Sequence, residues 1–340
     1  MMGCESKLAW HEDIERVANA ANLAARGLSR VDRFFAASAR RGPALLGFGV
    51  FGGLLVPPLA RAFHGVITPV VVALMTLVLL RVDIPAAVGH LRRPGRLAWL
   101  VGFQLLICPV LAWAAVTPLR LDAGIAAGVV IFATGCAATS GPAFARLVGL
   151  DPELTLLATL ATTVLVPLTA PPMAHALMGV DLAISVPAFM LRLVLAVGLP
   201  IAFSLGIRRL AGAARLAPYG PAVDGAVVWL VVLYGFGVMN GLAARMLADP
   251  VWVAQAAFAA FAASFGLNLA TTMAFLPLGW RTAGASGLMS GNRNMALYLA
   301  VLPAAADPRV GLFFALCQFP LFLSPFLLRP VYRRITRALG

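Results

Sequence analysis

The chain has 340 residues, of which 61% are hydrophobic and 11% charged. A soluble domain carries about 25% charged residues, so the composition excludes a soluble enzyme and points to a polytopic membrane protein. The formal net charge of +13 sits at the ends of apolar runs and not in one patch, which marks membrane orientation and predicts no nucleic-acid partner.

The first forty residues are charged and lack the apolar core of a secretory signal. From 11 to 35, Ile14, Val17, Ala21, Leu28, Val31 and Phe35 recur at helical spacing between charged residues. This reads either as an amphipathic helix on the cytoplasmic membrane surface or as a poorly ordered tail. A bilayer span needs about 20 apolar residues. Ten segments meet that measure, at 43–60, 66–82, 97–116, 123–148, 152–178, 182–207, 222–247, 250–278, 281–303 and 310–332. With the N-terminus inside, twenty of the 26 basic residues are cytoplasmic, and Arg61, Arg120, Arg245 and Arg309 are outside. Both termini are then cytoplasmic, in what is expected to be a cell inner membrane. Arg192 and Arg293 fall inside spans, whereas every acidic residue lies in the N-terminal segment or near a span end.

Ten spans halve into two sets of five, and an odd number per half forces opposite orientation. The fourth span of each half is interrupted, by Gly135-Cys136-Ala137-Ala138-Thr139-Ser140-Gly141-Pro142 in one and by Ser290-Gly291-Asn292-Arg293-Asn294 in the other. Interrupted apolar segments at matching places in two halves are the sequence mark of a transporter binding site. The expected fold is therefore an all-α, ten-helix membrane protein of two inverted five-helix repeats, with two broken helices that cross.

Several residues carry a likeness to a known family. Met75 is followed by the basic pair Arg92-Arg93, and Gln104 and Pro109 lie in the third span. Thr139, Gly149, Thr155, Thr159, Pro167 and Pro171 follow through the fourth and fifth spans, and Asn292, Met295 and Ala296 lie in the ninth. From about Leu54 to Tyr332 the chain resembles the bile acid:sodium symporter family of secondary transporters. The resemblance implies a panel over 43–96 and 181–249 and a core over 97–180 and 250–332. Outside it, the charge bias makes 1–42 a cytoplasmic N-terminal segment and 333–340 a cytoplasmic tail. It also implies a sodium site, of which Gln104, Thr155 and Thr159 are the surviving neutral ligands. The carboxylate of that site falls on Gly287, the Ser-Asn pair of the fourth span on Gly141-Pro142, and a glutamine of the ninth on Gly291. These departures leave the coupling ion open, and no other cofactor is expected.

At such a crossing, half-helix N-termini attract anions and C-terminal carbonyls attract cations. Arg293, permanently charged with five donors, can supply that cation from the chain itself, giving a site for an organic anion that needs no sodium. The alternative is a brace, always occupied by carbonyls and never near substrate. Thr139, Ser140, Asn292 and Asn294 are the other candidate substrate contacts, although Asn292 and Asn294 point about 200° apart on a helix. Thr155 and Thr159 share a helix face and can equally bond back to their own carbonyls. The function expected is alternating-access transport of a small organic anion. Its rivals are a metalloid permease working through Cys136 and a non-transporting sensor that keeps the fold. No acid pair, metal cluster or Ser-His arrangement in the spans suggests an enzyme.

Overall fold

The computed structural model describes residues 30–40, 42–82, 94–178, 185–302 and 307–339. The amphipathic pattern before residue 30 and the basic pair Arg92-Arg93 lie outside these residues. Within them the chain is helical, apart from turns, short links and a single antiparallel bridge between Ala137 and Arg293.

Among the described residues, five helices are long and apolar enough to cross a bilayer, namely 94–119, 152–178, 186–211, 217–248 and 250–278. Pro57–His64 and Ile67–Leu80 together pass the same test but are bent by 70°. Counting bent pairs as single spans gives up to seven, not the ten read from the sequence. The shortfall has physical causes. Segment 43–60 is cut at Val56, ahead of Pro57 and Pro58. Segments 123–148 and 281–303 are each two short helices, Ala123–Thr134 with Gly141–Val148, and Trp280–Gly291 with Met295–Val301.

Four of the acidic residues at span ends are helix caps. Asp122, Asp151, Asp249 and Asp307 accept from the backbone N–H of Gly124, Leu154, Trp252 and Arg309, satisfying donors that a helix start leaves orphaned. Asp122 also accepts from the Trp252 indole at 3.0 Å and pairs with Arg309 at 2.8 Å, tying three helix starts together. Partial burial pushes its carboxyl up, but the Trp252, Arg309 and Gly124 donors outweigh this and hold it below the ordinary 3.8.

Helix Gly220–Val238 packs on Arg30–Arg40, Gly42–Leu55, Pro57–His64 and Ile67–Leu80, and Val186–Ala211 joins the same side through Ile67–Leu80. Arg30–Arg40 is thus docked on a helix. Phe34 stacks on Trp229, whose indole donates to Ser38 at 3.0 Å. A Cβ at Gly225 would overlap the Phe35 carbonyl, so only glycine permits this approach. On the other side, Ala123–Thr134 packs against Cys108–Val116, Pro152–Met178, Pro250–Phe275 and Pro308–Leu316, while Trp280–Gly291 lies along Pro250–Phe275.

Candidate functional site: the crossing of two broken helices

Helix Ala123–Thr134 stops at Gly135 and helix Trp280–Gly291 stops at Asn292, both in extended conformation. Backbone interrupted at membrane depth must find partners within the protein, and here each interruption supplies them for the other. Ala138 N–H donates to Asn292 C=O at 2.8 Å, and Asn294 N–H donates to Cys136 C=O at 2.9 Å. The hydroxyls of Thr162 and Ser264 serve Ala137 N–H and Gly291 C=O at 3.2 and 2.7 Å.

Three further carbonyls are held by Arg293, which is 1% exposed. Its guanidinium donates to Ser290 C=O at 2.9 Å, Gly135 C=O at 2.6 Å and Gln104 C=O at 3.2 Å. The first two lie at the C-terminal ends of the two broken helices. The third is freed by a π-turn at Phe103–Ile107, where Cys108 N–H reaches back to Phe103 C=O. In that register residue 109 should serve Gln104, but it is proline and has no N–H. The guanidinium replaces the missing donor. Among the described residues no Asp or Glu is buried, and the guanidinium rests on carbonyl dipoles. Two helix C-termini bring about −0.5 each, close to one guanidinium.

The expected site residues divide into groups. Asn292 Oδ1 accepts from Ser324 at 2.9 Å, and the Asn294 amide approaches Met75 Sδ at 3.9 Å. Ser140 and Asn294 precede the helices Gly141–Val148 and Met295–Val301 without capping them through their side chains. Ser140 is exposed, while Thr139 is half-buried and lines a cavity of about 60 Å³ with Met75, Pro142, Thr159, Thr163 and Leu297. That cavity separates Ile67–Leu80 and Val186–Ala211 from the crossing, and its only polar side chains are threonines.

Of the residues assigned to a sodium site, Thr155 and Thr159 donate to the carbonyls of Pro152 and Thr155 at 2.8 Å each. Gln104 is fully buried, and neither its amide oxygen nor its nitrogen has a partner; the Ser290 hydroxyl is in the same position. Gly287 is a packing contact. A Cβ there would overlap Thr272 Oγ1 and lie 2.5 Å from Asn268 C=O, and one at Gly291 would lie 2.5 Å from Ser264 C=O. A carboxylate at 287 would force the two helices apart. Cys136 is fully buried, and its carbonyl is engaged by Asn294. Arg192 reaches Val301 C=O at 3.4 Å, a contact between helices and not part of the crossing.

Sequence reasoning missed Ser264, Thr162, Ser324 and the Thr134–Tyr298 hydroxyl pair at 2.8 Å. Spacing offered one signal. Ser264 and Asn268 lie four apart on the helix that faces Gly287 and Gly291, also four apart, a small-residue stripe that brings backbones together.

An apolar helical bundle with two interrupted helices paired at their breaks around a buried cation has the build of a multi-pass membrane transporter. Residues 68–239 match the sodium bile acid symporter family, and the chain belongs to that family. The match includes the first break and ends before the second. No curated protein matches the chain.

Proposed function

We propose that the protein is a secondary transporter of a small organic anion that works without sodium. The anion binds beside the crossing, against Thr139, Ser140, Asn292 and Asn294. On this reading ten spans form two inverted repeats in a cell inner membrane, with both termini cytoplasmic, and a panel of spans 1, 2, 6 and 7 rocks against the remaining core. The family supports membrane transport; the substrate class and the missing ion are inferences from the crossing.

One observation carries the reading, the guanidinium of Arg293 on the carbonyls of Ser290, Gly135 and Gln104. Carbonyls converging at two helix C-termini form a cation site, and the chain fills it with its own side chain. The N-terminal ends of Gly141–Val148 and Met295–Val301 then keep their positive partial charge, which suits an anionic group. The apolar wall of the neighbouring cavity suits the carbon skeleton of that solute. Arg293 acts on the anion through the field it balances and not by direct contact, since it is buried and each of its three guanidinium nitrogens donates to a carbonyl.

The test is a thermal-shift screen of the purified protein against small organic carboxylates, sulfonates and their uncharged analogues, in sodium and in choline salts. Stabilisation by ligand reads binding directly. Anions that stabilise equally in both salts, and that then accumulate in proteoliposomes, are the expected result. Ligand stabilisation that appears only in sodium overturns the sodium-free reading, and stabilisation confined to neutral or cationic solutes overturns the anion.

A further inference from the structure

A second hollow, of about 560 Å³, lies away from the crossing between helices Cys108–Val116 and Pro250–Phe275. Along the longer helix its wall runs from Gln255 to Ala270, roughly 22 Å at 1.5 Å per residue. At Gly266 a Cβ would meet nothing within 4 Å, and Ala262 on the same wall is exposed. Phe258, 75% exposed, flanks the trough. Both walls belong to helices apolar enough to span a bilayer, so the trough opens toward lipid.

One end of the trough is charged. Arg120 lines it and is the only non-glycine residue at positive φ, 48°, among the described residues, a conformation that costs a side-chain-bearing residue energy. Asp122 lines the same end, its carboxylate engaged by Arg309, Trp252 and Gly124, and Arg120 is absent from the ion pairs among the described residues.

We propose that this groove seats one acyl chain of an anionic phospholipid whose phosphate pairs with Arg120. The dimensions fit a chain. A trough of roughly 22 Å is longer than one leaflet of a hydrocarbon core about 30 Å thick, whereas a compact solute would fill only part of it. The charge fits a phosphate, which a guanidinium binds through two parallel N–H donors. The site is separate from the transport reading, because neither Arg120 nor Gly266 touches the crossing or its cavity.

The experiment is native mass spectrometry of the full-length protein in mild detergent, titrated with phosphatidylglycerol or with phosphatidylcholine of the same chains. The wild type is expected to retain one tightly held phosphatidylglycerol at least about ten-fold more strongly than phosphatidylcholine, one factor of ten being 1.4 kcal/mol. Arg120→Gln brings the two lipids to parity. Gly266→Phe fills the trough and removes the tightly held lipid while melting no lower than the wild type, since it replaces a helical glycine. Ala262→Leu fills the trough independently. Equal retention of the two lipids by the wild type overturns the proposal, as does retention unchanged in both groove-filling variants. Displacement by glycerol phosphate as effective as by intact lipid also overturns it, leaving only a surface cation. Loss of transport in Gly266→Phe with lipid retention intact would give the trough to the transported solute instead.

Discussion

On the proposed sodium-free reading, deleting the Arg293 side chain should make the protein sodium-stabilised. In Arg293→Ala the carbonyls of Ser290, Gly135 and Gln104 lose their donors. A hydrogen bond to a charged group contributes roughly 1.5–3 kcal/mol, and burying an arginine at a span centre costs about 2.5–3.5 kcal/mol. Three such bonds less that cost leave a net loss of roughly 1–6 kcal/mol. The vacated space is ringed by carbonyls, with the unpartnered Gln104 amide on the same residue as one of them, and a small cation can replace the guanidinium there. Sodium at about 100 times its dissociation constant would restore about 2.7 kcal/mol. The assay is thermal unfolding of purified protein in sodium chloride and in choline chloride at equal ionic strength. The wild type should unfold at one temperature in both, and Arg293→Ala lower in choline than in sodium. Arg293→Lys, which keeps the charge but not the fork that spans three carbonyls, should be destabilised without responding to sodium. A wild type stabilised by sodium as much as the variant, or an alanine variant as stable as the wild type in choline, would refute the reasoning.

Other substitutions test the packing and the caps. Gly287→Asp, which places a carboxylate where the sodium-site likeness expects one, should destabilise by more than the roughly 1–3 kcal/mol of ordinary overpacking, because its Cβ overlaps Thr272 and crowds the Asn268 backbone; thermal unfolding reads this, and it should confer no sodium response. Gly225→Ala should release Arg30–Arg40 from Gly220–Val238 because the methyl overlaps the Phe35 carbonyl; faster limited proteolysis near residue 40 checks it. Asp122 has a folded-state pKa below 3.8, so its contribution to stability is fully present above that value and lost as pH falls through the depressed one. The melting difference between wild type and Asp122→Asn should therefore be constant at neutral pH and narrow in acid below 3.8.

Both breaks were legible because glycine, proline and polar residues interrupt apolar runs, and a buried arginine with no acid near it in the sequence had to find carbonyls. Span 152–178 coincides with the helix Pro152–Met178, whose Asp-Pro start fixes its beginning and whose apolar run continues through Pro167, Pro171 and Pro172. Which carbonyls Arg293 takes was not legible. One belongs to residue 104, far away in sequence, and is free only because a π-turn meets Pro109. The role of Gly287 was also hidden. A glycine that packs a helix and a glycine left by a lost ligand look the same until the facing helix, with Asn268 and Thr272, is in place. The threonines at 155 and 159 bond to their own helix, an outcome their spacing allowed but could not choose.

The pairing of the two breaks also decides where motion can occur on the proposed reading. Two backbone hydrogen bonds and a guanidinium bind the interruptions to each other, so they move as one body. Against that body, Ile67–Leu80 and Val186–Ala211 face an almost wholly apolar cavity. Thr68 donates to Ala300 C=O at 2.9 Å and Arg192 to Val301 C=O at 3.4 Å, two polar ties across the same divide. The threonine bond contributes roughly 0.5–1.5 kcal/mol, and the arginine bond, charged but long at 3.4 Å, about the same. Thr68→Val with Arg192→Gln should thus favour the separated arrangement by about 1–3 kcal/mol, on the order of a ten-fold change in population. A cysteine introduced at Thr139, on the cavity wall, reports it through its rate of labelling by a water-soluble maleimide. Cys108, Cys136 and Cys317 are buried, and the same labelling without the Thr139→Cys change corrects for Cys4. The double variant should label about ten times faster. An unchanged rate would mean that the divide is not where the protein opens, and that the crossing itself must come apart, with Arg293 releasing carbonyls in every cycle.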